Sequence, residues 1–591
     1  MGFADVEEAA EMQTGRQLRQ LFVTLLLFGS PSQPDQIWLT FREALCDDLQ
    51  HRLQTLGFTS PSPDQVYDYG LFLLDKCLME YGRLLSDWPS MPKSQYNWQS
   101  LTANPLIAEQ LDYDRLSLSV ELEDRLSKLN DEQQVAYDRI IASVLDRDSK
   151  VFFLNGPGGT GKTYVYNTVC AHLRGDGNIV LCVSSSGISA LLLRGGRTAY
   201  SMFKIPIEGL HERSVCTIPK NSHRAELMRA TKAIIWDEIG AQHRLAVEAV
   251  DRTLRDICGS DQPFGGITVI LGGDFLQTLP VVPRGSREET VDATIQRSRI
   301  WHGVEILQLK ENMRLDRADP DSRQFADWLL DIGHGRNMVG NGCIRFPDST
   351  RVPDLDSLIS SIYPGIDSTP PPLPSYFLDR MILAPRNSDV RELNQQILDS
   401  MSGEARQYIS ADQLIEELGA DEADAEPVPV EYLRNIDTAS LAPGELNLKV
   451  GCPIILLRNL APSRGLCNGT RMIVTRMRDR VLEVRLLGGD HDGEIAMIPR
   501  ISMIPPISDG LSYSFKRFQF PVRLAFALTI NKAQGQSVRY VGLDARMPVF
   551  SHGQLYVALS RVTSSRNLKI LLPADATDSI TPNVVYEEVL I

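Results

Sequence analysis

Apolar residues follow two different patterns along the chain. In residues 1–125 they recur at helical spacing, as in Ile37–Leu56 and Val66–Leu84, and prolines separate the segments. Further on, short continuous apolar runs such as Val151–Leu154 and Ala233–Trp236 alternate with helical stretches. Parallel strands are buried on both faces, so this alternation predicts a parallel sheet covered by helices.

A third pattern lies later in the chain. Strand-like runs follow each other closely in residues 450–505, which favours antiparallel strands, and the parallel pattern returns at Val522–Ile530. The predicted domains are therefore a helical region (1–125), a first α/β domain (126–300) with a small insert near 197–229, a second α/β domain in two parts (301–403 and 521–591), an acidic mobile insert (404–437) and a small β-domain (438–520).

The net charge of −15 over 591 residues disfavours nucleic-acid binding, because phosphate contacts need Lys and Arg. The charge is unevenly distributed, however: residues 1–125 carry a net −10, residues 404–437 carry −8, and the remaining 432 residues sum to +3. The sequence has no CxxC pair and no closely spaced His pair, which argues against a zinc module. The apolar run Leu21–Phe28 is too short for a membrane span, and the acidic N-terminus is unlike a targeting peptide.

The glycine-rich segment after Val151–Leu154 carries the strongest chemical signal. It fits the pattern GxxxxGK[ST] between a strand and a helix. Glycines in such a loop let backbone N–H groups face phosphates, Lys162 reaches the β- and γ-phosphates, and the Thr163 hydroxyl can bind Mg²⁺. A chance glycine-rich turn is the disfavoured alternative, since a strand precedes the complete motif. The nucleotide-binding residues predicted here are Gly156, Pro157, Gly158, Gly159, Thr160, Gly161, Lys162 and Thr163.

Two further strands end in polar residues. The strand Thr231–Trp236 runs into Asp237 and Glu238, which are placed to hold Mg²⁺ and to act as a general base toward water. The next strand ends in the sequence GGDFLQ, where Gln277 is a candidate for sensing the γ-phosphate or orienting water. Asp274 in this sequence is equally suited to a turn or capping role.

Other segments suggest how such an ATPase is used. Arg561 and Arg314 are candidates for contacting ATP from a second domain, with a surface ion pair as the alternative. Gln133 has the groups to bind adenine, although a helix-surface position is the simpler interpretation. Hydroxyl, glycine and aromatic residues in Val183–Gly187 and Gly195–Pro206 are typical of contacts to a nucleic-acid single strand, with ordinary polar loops as the alternative.

Taken in order, these motifs resemble those of the Pif-type DNA helicases, a branch of superfamily-one helicases that moves 5′ to 3′. The resemblance runs from about Leu129 to Thr563 and includes the phosphate loop, WDE, GGDFLQ, ENMR, NKAQGQS and YVALSRV. Several segments, among them GISALLLRGGRTAYSMFKIP, are similar to the helicase part of helitron transposon proteins. The paired-His nickase motif of those proteins is absent from this sequence.

The resemblance implies an α/β fold with two RecA-like P-loop domains, ATP and Mg²⁺ between them, an inserted small β-barrel and an N-terminal helical region. It assigns adenine contact to Gln133, metal binding to Thr163 and Asp237, and the role of base to Glu238. The other catalytic or γ-phosphate residues that it implies are Lys162, Gln277, Arg314, Gly535 and Arg561. The DNA contacts that it implies more weakly are Ser184, Ser185, Ser186, Thr198, Phe203, Asn387 and Thr529.

The family further implies an ATP-dependent 5′-to-3′ DNA helicase that acts on single-stranded and forked DNA as a monomeric motor, without a membrane. The implied processes are DNA repair or recombination, telomere maintenance or transposon-related transactions, and the implied location is the nucleus rather than the mitochondrion. Three alternatives stay open: a DNA-stimulated ATPase that recruits without unwinding, a transposon fragment that no longer turns over, and a helicase of RNA/DNA hybrids.

Overall fold

The computed structural model describes the chain except for residues 1–2, 11–13, 30, 56–57, 59, 80, 97, 99–103, 315–319, 337, 341, 416–428, 439, 507–510, 512–513, 575, 577 and 591. The chain forms two compact units. The helical–β unit comprises Met1–Pro105, Asp367–Pro374 and Ser400–Ala525, and the α/β unit comprises Leu106–Ile366, Ser375–Asp399 and Phe526–Ile591. No helix among the described residues is long and apolar enough to cross a membrane.

The helices are α1 (Phe3–Ala10), α2 (Gly15–Thr24), α3 (Pro34–Leu45), α4 (Leu49–Thr55), α5 (Pro63–Met79), α6 (Pro105–Leu111), α7 (Arg115–Leu126), α8 (Asp131–Asp146), α9 (Lys162–Gly175), α10 (Gly187–Ala190), α11 (Ala199–Phe203), α12 (His223–Ala230), α13 (Arg244–Cys258), α14 (Arg287–Asp292), α15 (Pro320–Gly333), α16 (Leu355–Ile362), α17 (Pro374–Leu378), α18 (Asn387–Ser400), α19 (Val430–Asn435) and α20 (Gln554–Leu559). The strands are β1 (Val151–Asn155), β2 (Ile179–Ser184), β3 (Arg197–Thr198), β4 (Thr231–Asp237), β5 (Thr268–Gly273), β6 (Val304–Gln308), β7 (Cys343–Arg345), β8 (Arg351–Val352), β9 (Arg380–Ala384), β10 (Arg406–Ile409), β11 (Ala411–Leu414), β12 (Glu445–Leu448), β13 (Pro453–Leu456), β14 (Arg471–Met477), β15 (Val481–Leu487), β16 (Ile495–Pro499), β17 (Ile501–Met503), β18 (Phe515–Gln519), β19 (Val522–Leu524), β20 (Ala527–Thr529), β21 (Tyr540–Asp544), β22 (Leu568–Leu571) and β23 (Ile580–Pro582).

A six-stranded parallel sheet forms the centre of the first α/β domain. Its strand order is β3-β2-β4-β5-β1-β6, which confirms the fold predicted from the alternating pattern. The limits of this domain differ from the prediction. β6 pairs with β1, with Val304 opposite Val151, so the first domain extends past residue 300. β3 is an edge strand that lies inside the predicted insert near 197–229. These edge strands are short or half-exposed, so their apolar pattern alone did not reveal them.

A five-stranded parallel sheet forms the second α/β domain, in the order β20-β9-β21-β22-β8. The run Val522–Ile530, predicted as one parallel strand, is divided in two. β19 pairs antiparallel with β13, whereas β20 pairs parallel with β9. Phe526 lies between the two strands, and its carbonyl accepts a hydrogen bond from the Tyr363 hydroxyl at 2.5 Å. Apolar residues predominate in both strands, so the sequence does not show the division, and only the pairing of the strands does.

The predicted helical region, 1–125, extends too far along the chain, because residues from Leu106 onward belong to the α/β unit. Its last helix, α7, packs on the first α/β domain, where Leu118 is buried and the Tyr164 hydroxyl donates to the Arg125 carbonyl at 3.1 Å. The Arg174 guanidinium also lies 4.6 Å from the ring centroid of Tyr113, just before α7. A helical pattern gives no information on the partner that its apolar face covers, so this boundary could not be placed from the sequence.

The N-terminal helices and the β-strands of the helical–β unit share one hydrophobic core. Val481 of β15 and Met497 of β16 belong to the same buried cluster as the apolar residues of α1–α5. The Gln17 side chain donates to the Ile495 carbonyl at 3.0 Å. The helical region is therefore part of the same body as the predicted β-domain. Its described strands form three antiparallel sheets, in the orders β16-β15-β14-β13-β19, β11-β18-β17 and β10-β12.

The prediction of a mobile acidic insert at 404–437 is wrong for its described part. This stretch contains β10, β11 and α19, and its strands pair with β12 and β18. Asp412 of β11 forms a buried ion pair with Arg517 of β18, whose Nη2 lies 2.9 Å from Asp412 Oδ2. Arg517 also donates to backbone carbonyls of the segment that includes α19, such as Leu433 and Ile436. One buried guanidinium therefore connects β11 with the segment that includes α19. Residues 416–428 lie outside the described part.

Replacing Arg517 with Ala is expected to destabilise the protein by about 3–5 kcal/mol, because Asp412 would remain buried without its countercharge. Urea denaturation of the two proteins measures the change. Arg476→Ala is the matched control, since it removes an arginine that is largely exposed, 3.7 Å from Glu483, and is expected to cost less than about 1 kcal/mol. Equal losses in the two variants would contradict the structural role of Arg517.

Candidate functional site

The predicted phosphate loop joins the end of β1 to the start of α9. Gly161 has φ +85°, a backbone conformation that glycine adopts without strain, and it directly precedes the helix. The Lys162 ammonium lies against the loop and donates to the Gly156 carbonyl. Thr163 follows in the first turn of α9 and is partly exposed. The loop therefore has the strand–turn–helix geometry in which backbone N–H groups and a helix N-terminus bind phosphate.

Asp237 is the last residue of β4 and is buried beside α9. Its Oδ1 accepts a hydrogen bond from the Tyr166 hydroxyl at 3.3 Å, and burial raises the pKa of its carboxyl group. Gly272 of the neighbouring strand β5 is required here, because a Cβ at this position would lie 1.6 Å from the Tyr166 oxygen. Tyr166 was not predicted as a site residue, since nothing in the sequence distinguishes it from the other core residues of α9.

The oxygen ligands at this point fit Mg²⁺. Asp237 supplies a carboxylate and Thr163 supplies a hydroxyl, both of which are hard oxygen donors. Mg²⁺ in nucleotide sites is usually held by one or two protein oxygens together with phosphate oxygens and waters. The burial of the Asp237 carboxylate also favours a cation beside it.

Glu238 follows Asp237 with a left-handed backbone, at φ +55°. Burial and the adjacent charge of Asp237 raise the pKa of the Glu238 carboxyl group to about 7. Its Oε2 accepts a hydrogen bond from the Gln534 side-chain amide at 2.9 Å. A carboxylate with a pKa near 7 can exchange a proton with water at physiological pH.

Gln534 was not predicted as a site residue, although it lies in the motif NKAQGQS. Its amide bridges the two α/β domains: Nε2 donates to Glu238, and Oε1 accepts from the Thr278 hydroxyl at 2.8 Å. The adjacent Gly535, predicted as a γ-phosphate contact, faces Ser189 of α10. The motif could have pointed to Gln534, but a glutamine has no distinctive signal without its partners.

The turn after β5 holds Gln277 in place. Its Nε2 donates to Asp274 Oδ2 at 3.2 Å, and the same oxygen accepts from the Tyr556 hydroxyl at 3.1 Å. Asp274 Oδ1 accepts from the Leu276 backbone N–H, so this carboxylate has the turn role that the sequence allowed and a second role as well. Burial raises the pKa of Tyr556 well above its usual value, which keeps its hydroxyl protonated as a donor.

The two candidate arginines both contact the NKAQGQS loop. Arg561 is buried and donates to the backbone carbonyls of Val557 and Gln536, each at 2.8 Å, and its burial lowers its pKa. Arg314 donates to the Ser537 hydroxyl. The alternative of a surface ion pair is wrong for Arg561, because the side chain is buried and donates to carbonyl and hydroxyl oxygens.

Gln133 is buried rather than on a helix surface. It is the third residue of α8 and completes a capping box with Asn130, whose backbone N–H donates to Gln133 Oε1 at 3.2 Å. Gln133 Nε2 donates to the Thr160 carbonyl of the phosphate loop at 3.0 Å. Its amide therefore supports the loop, and adenine contact stays a prediction.

The structure contradicts two of the predicted DNA contacts. Ser184 is fully buried and donates to Ser189, and Phe203 is buried with its ring 5.5 Å from that of Trp236. A DNA base cannot reach either side chain. The sequence of a short polar loop does not show which of its side chains are buried. Thr198 caps α11, where it accepts from the Ser201 backbone. The candidates that remain partly or fully exposed are Ser185, Ser186, Thr198, Asn387 and Thr529.

Comparison with known proteins gives matches that contain these motifs. The family model described as PIF1-like helicase matches residues 128–341, and the model of the 2B domain of DNA helicase Pif1 matches residues 431–477. The ATP-dependent DNA helicase Pif1 of Psychrobacter sp. is 26% identical over 491 residues, which cover 75% of this chain and 69% of that protein. The protein of the same name from Bdellovibrio bacteriovorus is also 26% identical and is covered to 90%. The chain spans 61% of the rat relative, ATP-dependent DNA helicase PIF1.

Two solved structures have the same fold. The Pif1 helicase from Candida albicans is 25% identical, with a TM-score of 0.53 and coverage of 75% of this chain and 94% of that one. Bacteroides Pif1 bound to single-stranded DNA is 23% identical, with a TM-score of 0.54 and coverage of 78% and 94%. The first family match contains the phosphate loop, both carboxylates and Gln277, and the second lies in the helical–β unit. The chain is therefore similar to PIF1-like helicases over residues 128–341 and to the Pif1 2B domain over residues 431–477.

Proposed function

We propose that this protein is an ATP- and Mg²⁺-dependent DNA helicase that moves 5′ to 3′ on single-stranded DNA and separates the duplex ahead of it. The observation that carries the proposal is the bridge made by Gln534. This residue of the second α/β domain contacts both Glu238 and Thr278 of the first. The residues placed for hydrolysis are thereby tied to the position of the other domain, as a motor requires.

Each residue of the site has a definite role in this proposal. Lys162 neutralises the β- and γ-phosphates, while Thr163 and Asp237 hold Mg²⁺. Glu238 accepts a proton from the attacking water, and its raised pKa suits that task. Mg²⁺, when bound, neutralises charge that develops on the phosphates.

Arg561 acts from the second domain, whereas Arg314 follows β6 of the first domain and lies in the segment that contacts the phosphate loop. Arg561 has a guanidinium whose partners are neutral oxygens, so its positive charge is available to developing negative charge on ATP. Arg314 lies close enough for its charge to lower the pKa of Arg561. Such arginines contribute about 10³–10⁵ in rate in related phosphoryl transfers.

DNA as the substrate rests on the family and on the relatives, which are named ATP-dependent DNA helicases. The same proposal includes single-stranded and forked DNA as substrates, a monomeric motor and a nuclear location. The proposed processes are DNA repair, recombination, telomere maintenance or transposon-related transactions. Intact Lys162, Asp237, Glu238 and Arg561 argue against a fragment that no longer turns over. A recruitment ATPase without unwinding and a helicase of RNA/DNA hybrids are distinguished by the first experiment below.

The wild-type protein is expected to unwind a duplex with a 5′ single-stranded tail in the presence of ATP, and not one with a 3′ tail. Lys162→Ala is expected to reduce hydrolysis and unwinding on the order of 100-fold or more, because it removes the charge on the phosphates. Lys128→Ala, which removes an exposed lysine paired with Asp124, is the control and should leave both rates unchanged.

Strand-separation assays on DNA and RNA/DNA duplexes with each tail measure these outcomes. Unwinding from the 3′ tail would contradict the proposed direction. DNA-stimulated hydrolysis without strand separation would favour the recruitment ATPase, and a preference for the hybrid duplex would favour the third alternative.

The rate of ATP hydrolysis is expected to decrease about tenfold per pH unit as the pH falls below about 7. Glu238 can accept a proton from water only as an ionised carboxylate. Because its pKa is raised to about 7, Glu238 becomes protonated as the pH falls below that value. Glu238→Gln is expected to lower the rate by about 10²–10⁴ and to abolish this acid limb. A wild-type rate that stays level between pH 6 and pH 8 would argue against Glu238 as the base.

Gln534→Leu is expected to move the acid limb of the pH profile to higher pH. The amide N–H of Gln534 stabilises the charged form of Glu238, so its loss raises the pKa of the carboxyl group. Gln536→Leu is the matched control, because it keeps the backbone carbonyl that Arg561 contacts. Identical pH profiles for the two variants would show that Gln534 does not act on Glu238.

A further inference from the structure

Asp274 is a buried carboxylate at which two α/β domains meet. Only 5% of it is exposed, and it accepts three hydrogen bonds. The Leu276 backbone N–H and the Gln277 amide come from its own turn, at 3.1 and 3.2 Å. The third donor, the Tyr556 hydroxyl at 3.1 Å, comes from α20 of the second domain. A buried carboxylate needs such donors, since an unpaired one is costly.

The hydrogen bond to Asp274 fixes which way the Gln277 amide is turned. An ionised carboxylate can only accept, so it selects the NH₂ group of Gln277 and leaves the carbonyl oxygen on the other side. That oxygen, Oε1, is buried and has no hydrogen-bond partner among the residues that the structure describes. A buried carbonyl oxygen is stabilised when a donor reaches it.

The buried Oε1 of Gln277 distinguishes between two roles for this residue, binding the γ-phosphate and holding the attacking water. The oxygens of an ionised γ-phosphate are acceptors, so they offer nothing to a carbonyl oxygen. A water molecule has two O–H groups and can donate to it. Gln277 in this orientation is therefore suited to hold the attacking water, whereas the reversed amide would be suited to bind the γ-phosphate.

The second domain holds the turn at a second point. The buried His552 side chain bonds through Nε2 to the Phe275 carbonyl at 2.8 Å, next to Asp274. Its other ring nitrogen accepts the Tyr586 backbone N–H at 2.8 Å, so Nε2 is the ring nitrogen that carries hydrogen and donates. The turn that carries Gln277 is thus held by two contacts from the second domain, one at Asp274 and one at Phe275.

We propose that Tyr556 and Asp274 are positioning residues that turn the Gln277 amide so that its oxygen receives the attacking water, and that Tyr556 makes this orientation depend on closure of the second domain. The proposal rests on the ATPase function proposed above. It assigns Tyr556 a role in the rate of hydrolysis and no role in holding the γ-phosphate.

The test compares Tyr556→Phe, Asp274→Asn and the double variant with the wild type. Tyr363→Phe is the matched control, because it also removes one buried tyrosine hydroxyl that donates to a backbone carbonyl within the second domain. The measurements are kcat and KM for ATP with single-stranded DNA present, and the ratio of the affinities for a non-hydrolysable ATP analogue and ADP. Thermal unfolding of each variant accompanies them.

Tyr556→Phe is expected to lower kcat about tenfold, with KM and the analogue-to-ADP ratio within about twofold of the wild type. Asp274→Asn is expected to lower kcat about 100-fold, because its own NH₂ group can face Gln277 and reverse the amide. The double variant should be no slower than Asp274→Asn, since both changes act through one carboxylate.

Three results would overturn the inference. One is a kcat of Tyr556→Phe that equals the kcat of Tyr363→Phe. Another is independent, multiplicative losses in the double variant. The third is a loss of analogue affinity relative to ADP, which would show that Gln277 holds the γ-phosphate. If Tyr556→Phe does not fold, the kcat and the affinity ratio of Asp274→Asn decide the question. A wild type without DNA-stimulated hydrolysis would instead refute the proposed function itself.

Discussion

The chemistry of this protein depends on the parallel pairing of three strands, β4, β5 and β1. Their carboxyl ends lie at one edge of the sheet, with Asn155 opposite Gly273 and Trp236 opposite Leu271. The phosphate loop, the carboxylates after β4 and the turn after β5 are distant in sequence, and this register brings them together. In parallel α/β sheets, the carboxyl edge of the strands is where ligands bind. A shift of one residue in any pair would separate these groups.

The second α/β domain completes this edge through two polar side chains, the partly buried Gln534 and the buried Tyr556. Gln534 contacts the proposed base Glu238, and Tyr556 contacts Asp274, which accepts a hydrogen bond from Gln277. Buried hydrogen bonds of this kind are strongly directional and are lost altogether when their partners separate. In the proposed mechanism they convert domain closure into a discrete change at the ATP site, which a diffuse apolar contact would not do.

The helical–β unit shows why overall charge is a poor guide to this chain. Asp412 is neutralised by Arg517 inside the unit, and the N-terminal helices share their core with β15 and β16. The net charge of −15 therefore does not describe the surface of the α/β unit, where the motor residues lie.

The sequence by itself determined the fold class, the phosphate loop, the two carboxylates and Gln277, because each of these follows from a local pattern of strand, glycine and polar residue. It also placed Arg561 and Arg314 in motifs, though not their contacts. Only the tertiary structure decided that Ser184 and Phe203 are buried, that Val522–Ile530 is divided between two sheets, and that Gln133 supports the phosphate loop. It alone identified Gln534, Tyr166 and Tyr556, because a neutral amide or hydroxyl acquires its role from a partner far away in the chain. Local patterns fix strands and loops, whereas burial and long-range hydrogen bonds exist only once those strands are paired.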